Sequence, residues 1–222
     1  NFKYFKLIIM KNKSVLLVID VQNDFLPGGS LAVKDGDKII DIINKMLPSF
    51  DLVVFTQDWH PANHKSFASQ YEDKNIFDIV DLNGTQQTLW PDHCIQNTKG
   101  AEITNSIDLS KIKDKFYIFK KGTDVEVDSY SGFYDNNKKN STGLAEFLNE
   151  QEITDVFVCG LAFEFCVAFT AIDSANEGFN TIVIKDATKA ISEDVSKTMY
   201  EFLDADVKMI ESWELELYNV TK

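Results

Sequence analysis

The chain has 222 residues, 44% hydrophobic and 26% charged, which is the make-up of an ordinary globular protein and excludes a fibrous or low-complexity one. Its 35 acidic residues against 22 basic ones leave a net charge of -13, which argues against nucleic acid or an anionic membrane surface as a partner. All the basic residues are lysine, so no side chain can offer the planar two-pronged clamp that arginine gives a carboxylate or phosphate, and an uncharged substrate is favoured.

Three cysteines, at 94, 159 and 166, form no disulfide framework and point to a reducing compartment: the cytoplasm, with the nucleus as a second place in a eukaryote. No apolar run approaches the ~20 residues of a membrane span. Residues 1–12 read as an N-terminal extension, because NFKYFKLII precedes Met10 without the features of a signal peptide. Residues 13–222 read as a single domain.

In chain order, Ser14 to Asp20 (SVLLVID) is a continuous apolar run ending in a carboxylate, as expected of a strand buried on both faces. Pro27-Gly28-Gly29 marks a loop. Ile39, Ile42, Ile43 and Met46 recur at helical spacing within 36–46, and Leu52 to Thr56 is a second buried strand. Residues 61–114 show weak periodicity, broken by a turn at Asn83-Gly84 and by Trp90-Pro91. A long irregular excursion of this kind is often functional. Phe116 to Lys120 is a third strand, and Thr142 can cap a helix over 143–150. Asp155 to Gly160 is a fourth strand, leading into a helix from Phe165 to Glu177. Thr181 to Lys185, a helix from Ser192 to Ala205, Val207 to Ile210 and a last helix over 212–218 complete the pattern.

Alternating strands and helices predict an α/β fold, a three-layer αβα sandwich around a six-stranded, mostly parallel sheet. Such sheets bind ligands at the carboxyl ends of their strands. Asp20, the segment Asp58–His60, the Lys120-Lys121 pair and Cys166 all fall on that edge.

Two of the chain's three histidines lie in DWHPANH, 58–64, and the third, His93, lies in WPDHC. Asp58, His60 and His93 make a carboxylate and two-imidazole set that suits zinc, iron(II) or manganese, with His64 as a fourth ligand or an outer residue. A cysteine at a helix N-terminus sits in positive potential, which makes Cys166 a candidate nucleophile, while Cys159 lies in a buried strand and reads as structural. With the histidines engaged, a carboxylate is the expected base. Asp20 is well placed for it, and Asp24, among turn residues, reads as a loop cap. One of Lys120 and Lys121 would steady the carboxylate, and composition does not choose between them. Phe25, Trp90, Tyr130, Phe133, Phe163 and Phe165 surround these residues in the sequence.

IDVQNDFLPGGSLAV, QDWHPANHKSFASQ, WPDHCIQNTKGAE, KGTDVEVDSYSGFYDN and GLAFEFCVAFTAIDSA together resemble the nicotinamidases and pyrazinamidases of the isochorismatase-like cysteine hydrolases. The resemblance runs from about Ser14 to Trp213 and departs at Phe163 and Phe165, where Thr or Leu and Tyr are usual. It implies a catalytic triad of Asp20, Lys121 and Cys166, and an oxyanion hole from the backbone N–H groups of Ala162 and Cys166 beside a cis peptide at Leu161–Ala162. It implies one divalent ion, zinc favoured, on Asp58, His60 and His93, and a ring pocket lined by Phe25, Trp90 and Tyr130. The small-molecule substrate it implies is nicotinamide, within NAD salvage. Another amide or ureide hydrolase of the same superfamily is the alternative, and a metal-dependent oxygenase would use the histidines without Cys166. Monomer and homo-oligomer both remain open at this stage.

Overall fold

The computed structural model describes residues 12–113 and 115–218, so most of the expected N-terminal extension lies outside the described residues. The main sheet has six strands: β1 Ser14–Ile19, β2 Leu52–Asp58, β5 Phe116–Lys121, β6 Asp155–Leu161, β7 Asn180–Lys189 and β8 Lys208–Ile210. They lie in the order β5-β2-β1-β6-β7-β8 and every pairing is parallel. A separate antiparallel hairpin, β3 Ile79–Leu82 and β4 Thr85–Thr88, projects from the irregular region.

β1 is wholly buried because it is flanked by strands and covered on both faces. Its side chains alternate: Leu16 and Val18 enter one apolar cluster, Val15, Leu17 and Ile19 the other. The first cluster is roofed by α1 (Ile40–Met46) through Ile40, Ile43 and Met46, with Leu215 of a 3-10 helix over Ser212–Tyr218. The second is roofed by α2 (Leu144–Glu150), α3 (Ala168–Asn176) and α4 (Ser196–Asp204) through Leu144, Leu148, Ala168, Ala171 and Phe202. The result is the expected three-layer sandwich. Among the described residues, no helix is long and apolar enough to cross a membrane.

Several boundaries differ from those expected, each for a local reason. β7 continues past Lys185 to Lys189, because the register shifts between Val158 and Gly160 and brings Gly160 opposite Thr188. Gly160 has φ +114°, and a Cβ there would meet the Ile19 carbonyl at 2.1 Å, so only glycine fits against β1. The helix expected from Phe165 instead opens as a π-turn over Phe163–Val167, in which the Val167 N–H donates to the Ala162 carbonyl. α4 begins at Ser196 rather than Ser192, since Asp194, not Ser192, accepts the N–H of Ser196 and the amide of Ser192 is already engaged by Glu164. The Asn83-Gly84 turn joins two short strands that hydrophobic patterning did not reveal, because three of the four β3 residues and most of β4 are at least partly exposed. Both turn residues have positive φ, as a tight hairpin requires.

Candidate active site

Parallel pairing sends the carboxyl ends of β1, β2, β5 and β6 to one edge, and the chemistry-bearing residues collect there. Asp20 follows the last residue of β1 with φ 48°, a left-handed conformation that turns the chain out of the strand. Its backbone N–H donates to Thr56 Oγ1 at 3.1 Å, and the same hydroxyl donates to Asp20 Oδ1 at 2.6 Å. Thr56, one strand over, thus holds both the backbone and the carboxylate of Asp20. Asp58 and Lys121 end β2 and β5 and face each other in register.

Of the two adjacent lysines, Lys121 points inward and is buried, whereas the ammonium of Lys120 lies 3.7 Å from the centre of the Trp59 ring at the surface. The Lys121 ammonium sits 2.6 Å from Asp58 Oδ1, 2.9 Å from Asp20 Oδ2, 2.9 Å from the Ser129 carbonyl and 3.4 Å from Cys166 Sγ. It therefore has four acceptors for three N–H bonds, and the sulfur is the most distant. Cys166 is buried in the π-turn, directly after the end of β6. The Leu161–Ala162 peptide is cis.

Burial pushes the Asp20 carboxyl up, and the neighbouring Asp58 adds to this against the pull of Lys121 and Thr56. Burial also disfavours the Asp58 carboxylate, but Lys121 and His60 outweigh it and hold the group well below the usual range. The Cys166 thiol is held well above an ordinary cysteine by burial, opposed by Lys121 and reinforced by Asp20 and Asp58. Burial weakens the Lys121 ammonium, yet Asp20 and Asp58 more than compensate and keep it charged. Burial thus favours the neutral form of both the Cys166 thiol and the Asp20 carboxyl, and Lys121 is the group that opposes it at each.

The histidines converge beside Asp58. His60 Nδ1 lies 2.8 Å from the Gly122 carbonyl and His93 Nδ1 2.8 Å from that of Pro91. A carbonyl only accepts, so each Nδ1 carries a proton and each Nε2 is the nitrogen left to face an ion. Both Nε2 atoms point toward Asp58: its Oδ2 is 3.4 Å from His60 Nε2 and 3.7 Å from His93 Nε2. Burial opposes the charged form of His60, but Asp58 outweighs it and raises the imidazole's pKa. Gly122 (φ +62°) makes this possible, because a Cβ there would stand 2.3 Å from the His60 ring.

Donor separations near these values are the edges of a tetrahedron built on bonds of ~2.0–2.2 Å. His60 Nε2 is also a buried nitrogen without a hydrogen-bond partner. Both observations fit a divalent ion held by Asp58, His60 and His93. His64 differs. Its Nδ1 lies 2.7 Å from the Ser66 hydroxyl and accepts the Ser66 backbone N–H at 3.2 Å, so it is tied to its own loop, while its buried Nε2, like that of His60, has no hydrogen-bond partner. Burial pushes the His64 imidazole down to about 4, so it stays neutral.

A pocket opens above these groups, lined by Phe25, Trp90, Tyr130, Phe165, Ala162 and Cys166 among others, with about 340 Å³ of empty space including its mouth. Trp90 and Phe165 meet edge to face at 4.9 Å between centroids, and Trp90 Nε1 donates to the Tyr130 hydroxyl at 3.0 Å. Phe133 and Phe163 belong instead to the apolar cluster under α2 and α3. Cys159 is buried within β6 and Cys94 packs in the opposite cluster. Asp24 closes loops: its carboxylate accepts the N–H groups of Cys94 and Ser30.

Asp128 was not singled out by sequence. Its buried carboxylate lines the pocket and lies with His60 and His64 in a group in which one donor atom from each residue falls within 4.8 Å of the others. Only its distance in space from the histidines marks it, and DVEVD in the sequence carries no such sign. Thr56 and Gln22 were missed for the same reason. Asp20 and Asp58 flank the one buried lysine and Asp128 adds a third buried carboxylate on the His60 and His64 side, an excess of negative charge that a dication would offset.

A thiol flanked by a carboxylate and a lysinium, at the carboxyl edge of a parallel sheet, is the arrangement of a nucleophilic hydrolase. The chain belongs to the isochorismatase-domain family, whose pattern matches residues 14–214. It is 45% identical over 203 residues to a nicotinamidase of Acinetobacter baylyi, covering 90% of this chain and 94% of that one. Its structure is similar to that of an Acinetobacter baumanii nicotinamidase pyrazinamidease, with a TM-score of 0.88, 41% identity and coverage of 93% and 99%. It is also similar to a Pyrococcus horikoshii pyrazinamidase in complex with zinc, with a TM-score of 0.73, 35% identity and coverage of 90% and 99%.

Proposed function

We propose that this chain is a nicotinamidase, an amidohydrolase that converts nicotinamide to nicotinate and ammonia through a thioester on Cys166, and that it accepts pyrazinamide by the same route. The observation that carries the proposal is the meeting of Cys166 Sγ, Lys121 Nζ and Asp20 at the base of an aromatic pocket that also exposes Asp58 and His93. The names of the relatives support the substrate, and the lack of any arginine suits one without charge.

Asp20 takes the thiol proton as Sγ bonds to the carboxamide carbon. The carbonyl oxygen becomes an oxyanion held by the N–H groups of Ala162 and Cys166, and one such donor is worth ~3 kcal/mol. The C–N bond then breaks, and Asp20 returns its proton to the departing amine, releasing ammonia. Water attacks the thioester while Asp20 accepts a proton. The C–S bond breaks, nicotinate leaves, and the sulfur recovers its proton. Lys121 remains an ammonium throughout and can shift a hydrogen bond toward Sγ as negative charge builds there, at 3.4 Å from it.

Phe25, Trp90 and Tyr130 hold the ring and exclude water. When bound by Asp58, His60 and His93, a divalent ion supplies a Lewis-acid docking point for a ring nitrogen; zinc is favoured by its presence in the Pyrococcus relative. The enzyme belongs to a reducing compartment, with Cys94, Cys159 and Cys166 all free and buried.

The test is ammonia release from nicotinamide by the purified protein, before and after chelation and with zinc, iron or manganese restored. Release that depends on the metal is expected. None with any of the three would overturn the proposal.

A further inference from the structure

Glu164 precedes the nucleophile by two residues and has no part in the chemistry above. Its carboxylate reaches across to the segment between β7 and α4. There Oε1 accepts the backbone N–H of Ile191 at 3.0 Å and that of Ser192 at 2.5 Å, and Oε2 lies 3.2 Å from the Ile191 nitrogen. Two successive amides, 27 and 28 residues away in sequence, thus converge on one side chain. The segment is fastened at its other end as well. Asp194 Oδ1 accepts the Ser196 N–H at 2.9 Å at the start of α4, and the Ser192 hydroxyl donates to the Asp194 carbonyl at 3.1 Å.

What the segment carries is Ile191. That side chain is 40% exposed, yet it lines the pocket together with Leu31, Phe165, Ala162 and Cys166. It is absent from both apolar clusters, so core packing does not account for where it stands. A branched apolar residue fixed at a pocket mouth offers surface that a bound ring would cover. The carboxylate takes both amides on the charged Oε1 and the Ile191 amide also on Oε2, whereas a glutamine would offer both a single uncharged oxygen and turn its N–H₂ toward the Ile191 amide where Oε2 stands.

We infer that Glu164 is a positioning residue that holds Ile191 as the outer wall of the substrate pocket, and that Ile191 limits the size of ring the enzyme accepts. The inference rests on the amidase reading above. Cys166 and its pocket wall would then be tied to one short stretch of chain, so the nucleophile and the size filter keep a fixed separation.

The test compares wild type with Glu164→Ala, Glu164→Gln, Ile191→Gly and the Glu164→Ala/Ile191→Gly double variant, all metal-loaded. Rates are measured on nicotinamide and on 5-methylnicotinamide. A single methyl group in an apolar pocket is worth roughly tenfold or more in specificity. Glu164→Ala and Ile191→Gly should each raise KM for nicotinamide, leave kcat within about twofold, and shift the preference toward the methylated ring by about tenfold. The double variant should shift it no further than Ile191→Gly does. Glu164→Gln should fall between wild type and Glu164→Ala, and it keeps the test available if the alanine variant does not fold. Amide hydrogen exchange at Ile191 and Ser192 gives a readout independent of turnover, and protection there should be lost in Glu164→Ala. Unchanged protection, an unchanged preference between the two rings, or a fall in kcat with KM constant would each overturn the inference. A wild-type protein that releases no ammonia from nicotinamide would instead overturn the amidase reading itself.

Discussion

The two halves of the site are placed by different physical means. Asp20, Asp58, Lys121 and Cys166 stand at or just beyond strand ends, where the parallel ladders set them: Asp58 opposite Lys121, and Ile19 opposite Gly160. His60, Trp90 and His93 lie in the irregular stretch after β2, held by isolated bridges such as His60 to Ile95 and Phe67 to Trp90. Buried polar side chains do the rest. Gln22 donates to the carbonyls of Asp58 and Ala101 and accepts the Asp58 N–H, while Asp24 accepts that of Cys94. A ladder shares the work over many backbone bonds, so no single side chain there governs position. The docking half depends on a few. Substitutions at the strand ends should therefore remove chemistry and spare the fold, whereas substitutions among the loop ties should loosen binding first.

The largest effect is expected at the nucleophile. Cys166→Ala should lower ammonia release by ~10⁴-fold or more, since no other cysteine lines the pocket to form the thioester. Metal content and thermal midpoint should stay close to wild type. Asp20→Asn should cost about 10²–10⁴-fold as the loss of the general base. Activity surviving Cys166→Ala would break the comparison and favour metal-centred chemistry.

Second is the metal. His93→Ala removes one of the three proposed ligands and should weaken zinc affinity beyond the roughly 10–100-fold typical of outer-shell partners. His64→Ala, whose ring is tied to Ser66 through Nδ1, should change it by no more than about tenfold. Competition with a chromogenic chelator measures both. Equal losses at the two histidines would mean that His64 ligates after all.

How much of this was legible in the sequence follows the same division. Buried strands announce themselves as apolar runs, so β1, β2 and β6 and the residues at their ends could be placed from composition and periodicity. The histidines stood out because there are only three. Lys121 could not be told from Lys120, since alternation says that one points inward but not which, and only the resemblance chose. Gln22, Thr56, Asp128 and Glu164 stayed invisible because their partners lie 27 or more residues away and are brought near only by the sheet and the loops over it. β7 was cut short at Lys185 for a related reason. The register shift at Gly160 that lengthens it is a property of the neighbouring strand.

Third is the titration of Cys166. Burial, Asp20 and Asp58 hold its thiol above the ordinary value of about 8.5 in the metal-free protein, so the reactive thiolate is scarce at neutral pH. Alkylation by iodoacetamide should climb through pH 9 without levelling. A dication beside Asp58 offsets that carboxylate's repulsion, so zinc should move the profile to lower pH. A metal-free profile with its midpoint below pH 8 would contradict this electrostatic picture.

The smallest effect tests the loop half most directly. Asp24 lies away from the reacting groups, yet it accepts the Cys94 N–H at 2.7 Å, directly after His93, and the Ser30 N–H at 3.4 Å. Gly100 packs against the same carboxylate, where a Cβ would stand 2.1 Å from Oδ2. Asp24→Ala leaves the Cys94 amide without its charged acceptor, a loss of ~1.5–3 kcal/mol from a hydrogen bond to a carboxylate. Because that amide belongs to the residue after the proposed ligand His93, part of the loss should appear as weaker zinc binding and a higher KM, with kcat within about threefold of wild type. Asp24→Asn keeps an oxygen acceptor and should recover most of the affinity. If Asp24→Ala lowered kcat and left KM and zinc affinity untouched, the loop ties would be governing the chemistry as well, and the division between the two halves would not hold.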